Sequence, residues 1–367
     1  MTKMSKNFLF GLVIGLISVT ALTLSASATE FRIFTGMDTY YATDNASLPP
    51  GSGGERPFAV SNNFKDIFGI NDAVIGAHAQ SDLWRANVEL DMCGAYNFEA
   101  GQINAGFKLF KNLWIEGGLF YTSVPGEYDN FTWDNYFTSY SVATQGAPCK
   151  EMGIGLAYNF SENTTAHLRV VNSGFGEVFD NNRSKSIVAR INFAEIVPDW
   201  TLSIGTLLGN EEGVRQPEQF MTFTAVDLRG KFSRNLEGIL TVQCATKNDA
   251  KVDDNGELSM GLHYGVTAQA RYHFSEKFNA SVRVAYADDK DGVLEDYPGF
   301  APMEFGVNFE YRPLDFMYLR LEGGFLSLSA EDEDDAKIFV RDNDVYNTRM
   351  QVALSMGVSF DVYNSLK

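Results

Sequence analysis

The chain has 367 residues and a formal charge of −18 at pH 7, and it is 45% apolar and 13% aromatic. Its 29 phenylalanines and 16 tyrosines exclude a disordered chain, which would be poor in aromatic residues. The excess of 47 acids over 29 bases argues against nucleic acid as a partner, because phosphates are bound by Lys and Arg. A mean hydropathy of −0.15 excludes a helical membrane protein but not a membrane β-barrel, whose strands alternate apolar and polar residues.

The N-terminal residues have the pattern of a secretory signal peptide. Two lysines precede an uncharged apolar run, and Ala26-Ser27-Ala28 supplies a cleavage site of small residues. We therefore predict a signal peptide over 1–28 and a barrel domain over 29–367. An N-terminal membrane anchor is the alternative, although the apolar run is near the lower length limit for spanning a bilayer.

Most of the remaining sequence alternates between apolar and polar or small residues. In one of the longest runs, Leu262, Tyr264 and Val266 begin an apolar series that continues at every second position to Phe274. A period of two places the two series on opposite faces of a β-strand. Several runs reach ten residues or more, which is the length that a tilted strand needs to cross a bilayer. This pattern predicts an all-β transmembrane barrel.

Short polar turns alternate along the chain with longer loops rich in Gly, Asp and Asn. Such asymmetry is typical of barrels in the bacterial outer membrane, where the turns are periplasmic and the loops extracellular. Counting between turns and loops predicts about 16 antiparallel strands, with 14 to 18 left open. The predicted strands are 31–41, 73–80, 84–92, 99–109, 113–122, 150–160, 164–172, 185–193, 200–209, 221–232, 236–246, 260–274, 278–287, 301–311, 316–328 and 347–363.

The alternative fold is a soluble β-sandwich. Aromatic residues flank the short turns, as Phe160, Phe232 and Phe274 do, and in a sandwich these would be ordinary core residues. In a barrel they mark the boundary between water and lipid, which suits rings with an apolar body and polar edges. A sandwich would also have shorter strands. The barrel is therefore the preferred fold.

The polar face of the strands carries charges of both signs. Isolated charges in a dry core would be costly, whereas a barrel of about 16 strands leaves an aqueous channel. Charges that only pair with one another and stabilise the wall are the alternative. The candidate pore-lining residues are Arg85, Glu89, Lys108, Glu116, Arg169, Arg190, Arg229, Arg271, Arg283, Arg320, Glu322 and Arg349.

The segment 123–149 is unusually long and aromatic. As a plain surface loop it would expose five large rings, so we predict that it folds into the lumen as a constriction. The candidate constriction residues are Glu127, Tyr128, Asp129, Phe131, Trp133 and Asp134.

Cys93 and Cys149 both fall near predicted extracellular ends of strands. Their compartment permits disulfides, so a bridge between them is a candidate. Three unbridged thiols are the alternative.

The long loops also carry clusters of acids, of which 331–335 is the densest. Such clusters could hold Ca²⁺ or Mg²⁺ weakly, but no EF-hand spacing is complete, so we expect neither a resident metal nor a cofactor. The acids at the mouth of a channel favour cations, and we predict cation selectivity, because acids outnumber bases and pairing with carboxylates weakens the effect of the arginines. Anion selectivity is the alternative, if the arginines control the narrowest point.

The stretch Gly118 to Glu127 (GLFYTSVPGE) resembles a segment of the putative β-barrel porin-2 family, in which Gly, Phe, Thr or Ser, Gly and Glu follow in that order. Asn135, Ser139-Tyr140-Ser141 and Pro148 then occur in the order found in the family. The resemblance is clearest over 113–210. It implies an outer-membrane channel and implies no particular solute.

We therefore expect a porin that passes small hydrophilic solutes or ions by diffusion, surrounded by outer-membrane lipid, with a homotrimer as a candidate assembly. The alternative is a non-conducting structural or adhesin-type barrel, whose lumen would be plugged by 123–149 or 42–72. A hydrolase barrel would require a Ser or Asp near His167 at the membrane boundary. No histidine lies in a nucleophile motif, so we do not expect an enzyme.

Overall fold

A computed structural model describes most of the predicted barrel domain. The described residues are 30–45, 67–93, 97–127, 134–144, 146–173, 184–210, 219–252, 257–294, 299–330, 337–341 and 344–364. The predicted signal peptide 1–28 and the acidic cluster 331–335 lie outside these ranges. Within the described ranges, no helix is long and apolar enough to cross a membrane.

Sixteen antiparallel strands form one closed barrel, which confirms the predicted fold class. The barrel strands are β1 (Glu30–Asp44), β2 (Ile67–Gln80), β3 (Trp84–Cys93), β4 (Asn97–Phe110), β5 (Leu113–Tyr121), β6 (Lys150–Ser161), β7 (Thr164–Val171), β8 (Ser186–Val197), β9 (Trp200–Asn210), β10 (Phe220–Ser233), β11 (Leu236–Val252), β12 (Leu258–His273), β13 (Phe278–Asp288), β14 (Phe300–Leu314), β15 (Met317–Ala330) and β18 (Thr348–Asn364). Neighbours in sequence are neighbours in the sheet, and β1 pairs with both β2 and β18 to close the wall.

Each of the predicted strands corresponds to a strand of the barrel, including 73–80, whose alternation is poorest. That strand is longer than predicted and begins at Ile67. Its small residues have a packing reason, because a Cβ at Gly76 would lie 2.4 Å from the ring of Phe34 and 2.9 Å from the side chain of Glu89. Glycine at this position lets both larger side chains pack on the inner wall.

The outer face of the wall is apolar. Along β12, Leu262, Tyr264 and Val266 are exposed, whereas His263 and Thr267 are buried on the inner face. Phe278 stacks on Tyr311 beside a short turn, with ring centroids 4.6 Å apart. Alternation thus separates a lipid-facing surface, edged by aromatic rings, from a polar interior.

A small hairpin follows β15 and was not predicted. The strands β16 (Phe339–Arg341) and β17 (Asp344–Tyr346) form a separate two-stranded sheet between the predicted strands 316–328 and 347–363. Strands of three residues are too short to show alternation in a sequence. Phe339 is fully buried against Val142 and Ala143, so the hairpin packs over the segment that lies inside the barrel.

Candidate functional site

The described parts of 123–149 fold into the barrel. We call residues 123–127 and 134–144 the inward segment. The hydroxyl of Ser141 lies 2.8 Å from that of Thr267 on β12, and the hydroxyl of Thr138 lies 2.7 Å from that of Ser355 on β18. These contacts reach strands far from β5 and β6, so the segment crosses the lumen.

Four arginines of the wall donate hydrogen bonds to backbone carbonyls of the inward segment, and the first is Arg229, whose Nη2 donates to the oxygen of Gly126 at 3.1 Å. Arg283 Nη1 donates to the oxygen of Ser139 at 2.7 Å. Arg320 Nη2 and Arg271 Nη2 both donate to the oxygen of Asn135, at 2.7 and 3.2 Å. Charge-assisted bonds of this kind are stronger than neutral ones, and they hold the segment from four different strands.

Carboxylates of the wall accept hydrogen bonds from the N–H groups of the same segment. The backbone nitrogen of Thr138 donates to Glu322 at 2.8 Å, and that of Val142 donates to Glu304 at 2.9 Å. Glu127, which lies in the segment itself, accepts from the backbone nitrogen of Ser141 at 2.6 Å. Buried peptide groups need such partners, so the charged side chains specify the path of the segment.

The structure thus divides the predicted pore-lining residues into two groups. The buried group, whose members contact the inward segment or other wall residues, comprises Glu89, Glu116, Arg169, Arg271, Arg283, Arg320, Glu322 and Arg349. The partly exposed group comprises Arg85, Lys108, Arg190 and Arg229. Most members of the buried group pair with other charges of the wall or bind the inward segment. They therefore fit the alternative stated above, in which the charges stabilise the wall and do not line a channel.

The predicted constriction residues are only partly described. Glu127 is buried between the segment and the wall, where its Oε1 accepts a hydrogen bond from Gln269 Nε2 at 2.8 Å. Asp134 is exposed and borders a cavity. Tyr128, Asp129, Phe131 and Trp133 lie outside the described residues.

Two cavities, of about 370 and 280 Å³, lie beside the wall formed by β1 to β8. Both are bordered by Gln102, Phe120, His167 and Arg169, which therefore form their junction. We call the two cavities together the passage. Further lining residues of the first cavity are Glu30, Phe31, His78, Ala79, Gln80, Arg85, Asn87, Asn104 and Glu116, and those of the second are Tyr121, Thr122, Ser123, Arg190 and Asn192.

Arg169 organises the junction. Its Nε and Nη2 donate to Glu116 Oε1 at 3.0 and 2.6 Å, and its Nη1 donates to the hydroxyl of Ser123 at 2.8 Å. Its guanidinium carbon lies 3.9 Å from the ring centroid of Phe120. Arg85 Nη2 binds the second oxygen of Glu116 at 2.6 Å. One arginine therefore links the start of the inward segment to the wall of the passage.

Neutral amides of the passage were missed by sequence reasoning, which selected charged residues. Asn87 Nδ2 donates to Asn104 Oδ1 at 2.8 Å, and Asn104 Nδ2 donates to Gln102 Oε1 at 3.1 Å. Asn87 lies two residues from both Arg85 and Glu89 along β3, so all three side chains lie on the same face of the strand. The alternation of the strand could therefore have identified Asn87 as inward-facing.

A third cavity, of about 360 Å³, lies between the inward segment and the wall formed by β14, β15, β18 and β1. It is bordered by Asp134 of the segment, by Arg32 of β1 and by Arg312 of β14. The inward segment therefore has polar space on two sides.

The predicted disulfide stays a prediction, because the side chain of Cys93 is outside the described residues. Strands β4 and β5 lie between β3, which ends at Cys93, and β6, which begins after Cys149. A bridge would have to cross both strands, which is far for a disulfide.

In the part of the chain that the structure describes, no group of three or more His, Cys, Asp or Glu side chains is placed to hold a metal ion. The acidic cluster 331–335 lies outside that part. Weak binding of Ca²⁺ or Mg²⁺ there stays a prediction.

Comparison with known proteins identifies a family and a group of solved structures with a similar fold. The family model "Putative beta-barrel porin-2, OmpL-like" matches residues 32–360. No curated protein matches the sequence significantly.

Solved structures with a similar fold include an anion-selective porin from Comamonas acidovorans, with 11% identity, a TM-score of 0.62, and coverage of 90% of this chain and 99% of that one. The outer membrane channel DcaP of Acinetobacter baumannii has 11% identity, a TM-score of 0.59 and coverage of 90% and 96%. A trimer form of OmpT of Vibrio cholerae has 9% identity, a TM-score of 0.58 and coverage of 90% and 99%. At these identities the likeness shows the barrel fold.

Proposed function

The chain belongs to the putative beta-barrel porin-2, OmpL-like family of the outer membrane, and on that premise we propose that solutes cross it along the passage beside β1 to β8. Small hydrophilic solutes or ions diffuse between this wall and the inward segment. The observation that carries the proposal is the junction, where two cavities share Gln102, Phe120, His167 and Arg169.

Apolar packing closes another part of the lumen. Val293 and Leu294, from the segment after β13, pack on Leu207 and Phe223 of the inner wall, and all four are buried. Dry, close-packed side chains leave no room for a hydrated ion. Water and solutes are therefore directed towards the polar side of the barrel, where the passage lies.

The test is a bulky substitution at the junction with a matched control on the opposite face of the same strand. Gln102→Trp places an indole in the passage, and single-channel conductance in planar bilayers should fall by about half or more, because conductance follows the narrowest cross-section. Ile103→Trp, at an exposed outer position, should leave conductance unchanged. Heat-modifiable migration in SDS should first establish that both variants are folded. Equal conductance of the two folded variants would then exclude this route.

The competing function is a non-conducting structural or adhesin-type barrel. The inward packing of Phe339 and of Leu294 favours it, since both fill lumen on the extracellular side. Absence of any channel from the unaltered protein, reconstituted in folded form, would support this function and refute the diffusion route.

The assembly that we propose is a homotrimer, as in one solved structure with this fold. Strands β3, β5 and β7 have only 10, 9 and 8 residues, whereas β11 has 17. A strand of eight residues, tilted by about 40°, covers roughly 20 Å of height, which is less than an apolar band of about 25 Å. Contact with another copy would shield this low part of the wall from lipid. Chemical cross-linking in detergent should give a trimer, and a monomer alone would contradict it.

A further inference from the structure

The ion pairs beside the cavities share one orientation, in which the base faces the cavity and the acid is buried behind it. Beside the passage, the Arg85 side chain is 30% exposed and its partner Glu116 only 4%. His78 and Glu89, 2.7 Å apart, have exposures of 33% and 1%. Beside the third cavity, the corresponding values for Arg312 and Glu310 are 33% and 0%.

This orientation is built by the contacts of the acids. Glu89 Oε1 accepts a further hydrogen bond from Gln102 at 3.1 Å, and Glu310 Oε1 accepts one from Asn279 at 3.0 Å. Glu116 is held from its other side by Arg169. A short carboxylate stays close to the backbone of the wall, whereas a guanidinium on its longer stem reaches water.

The pattern has exceptions, and their positions are informative. Arg283 is more buried than its partners Glu304 and Glu127, but it anchors the inward segment and faces neither cavity of the passage. In the 4.0 Å pair of Arg271 and Glu237, the acid is the more exposed member. Both arginines lie away from the wall of the passage, on β13 and β12.

Carboxylates also border two of the three cavities. Glu30 and Glu116 line the first, and Asp134 and Asp315 line the third. Among the described residues, the second cavity is bordered by Arg169 and Arg190 and by no carboxylate. The acids that pair with Arg169, Glu116 and Glu151, are 4% and 1% exposed and lie behind it. The strongest positive potential of the passage is therefore expected in the second cavity, because low-dielectric walls concentrate the field of the charges that line it.

From this arrangement we propose that the passage selects small anions, such as chloride and simple carboxylates, over cations. The proposal rests on the diffusion route proposed above. The net charge of the chain is negative, but acids that are buried behind bases, or that lie at the mouth, act weakly on an ion inside the passage. The bases that meet the solute determine the sign.

The test is the reversal potential of the reconstituted full-length protein across a tenfold KCl gradient near 0.1 M. We expect chloride to be at least about twofold more permeable than potassium, and we expect this ratio to approach unity near 1 M, where charges are screened within about 3 Å. Arg190→Gln and Arg85→Gln should each lower the ratio. Arg234→Gln, which removes the same charge from an exposed periplasmic turn, should leave the ratio unchanged.

The possible outcomes separate the two proposals. Conducting channels that prefer potassium, or an equal effect of Arg234→Gln and Arg190→Gln, would overturn anion selection and leave the diffusion route standing. A folded protein without conductance would overturn the diffusion route itself.

Discussion

Arg283 and Ser139 are joined by two hydrogen bonds inside the barrel. Arg283 Nη1 donates to the backbone oxygen of Ser139, and Nη2 donates to its hydroxyl, both at 2.7 Å. The same guanidinium donates from Nε to Glu304 at 2.8 Å and lies 4.3 Å from the ring centroid of Phe137. A single side chain of β13 thus fixes a residue 144 positions away in the sequence.

Replacing this arginine should loosen the inward segment. Arg283→Met leaves the buried Glu304 without a cationic partner and the Ser139 carbonyl without its donor, which should lower the free energy of unfolding by about 3–5 kcal/mol. Arg283→Lys keeps the charge but loses the planar fork, so its effect should be intermediate. Urea unfolding of the refolded barrel measures both, and single-channel recordings of Arg283→Met should show more open-channel noise. Arg234→Met, in an exposed turn, is the control, and equal loss of stability in that variant would contradict the anchoring role.

Gly205 allows the start of the inward segment to approach the backbone of β9. A Cβ at this position would lie 2.3 Å from the carbonyl oxygen of Ser123 and 2.6 Å from Cδ of Pro125. Gly205→Ala should therefore displace the segment at a cost of about 1–3 kcal/mol and change the conductance. Gly324→Ala is the matched control, since no atom lies within 4 Å of its added Cβ. Identical conductance and stability of the two variants would show that the inward segment accommodates the added methyl group without loss of stability.

The hairpin β16–β17 should depend on Phe339. This ring is fully buried with Val142 and Leu328, so Phe339→Ala should lose about 3–5 kcal/mol of local packing. Because the loss is local, it should appear as faster proteolysis of the hairpin and as faster hydrogen exchange at the amide of Val142. Val345→Ala, at an exposed position of the same hairpin, should have little effect. Equal rates of hairpin cleavage in the Phe339→Ala and Val345→Ala variants would show that the hairpin does not depend on the Phe339 ring.

Asp291 gives a pH-dependent contact outside the membrane-spanning strands. Burial would raise its pKa, but hydrogen bonds from Lys251 Nζ, at 2.8 Å, and from the backbone N–H of Leu262, at 3.0 Å, outweigh burial and lower the pKa of Asp291. Because the folded pKa is depressed, the contact contributes stability above the ordinary pKa near 4, and this contribution is lost as pH falls through the lowered value.

Carboxyl ¹³C titration of Asp291 measures this contact directly. In Lys251→Met the midpoint should rise towards about 4. Lys277→Met, in an exposed turn, should leave the midpoint unchanged. A midpoint that is the same with and without Lys251 would show that the ammonium does not hold the carboxylate.

The wall of the barrel was predictable because alternation depends only on which face of a strand a residue occupies. The roles of inward-facing charges were not predictable in the same way. Arg85 and Arg283 look alike in sequence, each between apolar neighbours on a strand, yet one borders the passage and the other is covered by the inward segment. Alternation gives the face of a side chain, whereas the segment that covers it comes from 144 residues away.

The aromatic content of 123–149 was enough to predict that this segment leaves the surface. It could not specify the path, because the path is fixed by side chains on β12 to β15, among them Arg271, Glu304 and Arg320. Sequence patterns are local, and these contacts join distant strands.

The pairing of β1 with β18 makes completion of the fold depend on both ends of the barrel domain. Arg32 Nε donates to Asp361 Oδ1 at 2.6 Å, across 329 positions, and the ladder continues to Asp44. Loop-closure entropy makes such distant pairing slow, so the seam should form late in folding. Until it forms, β1 and β18 each present an open edge able to pair with another chain, and in a chain that lacks β18 the second open edge is β15. Unfinished chains released before β18 is made would therefore be prone to aggregate, and protection of these edges before membrane insertion falls to other proteins of the cell envelope.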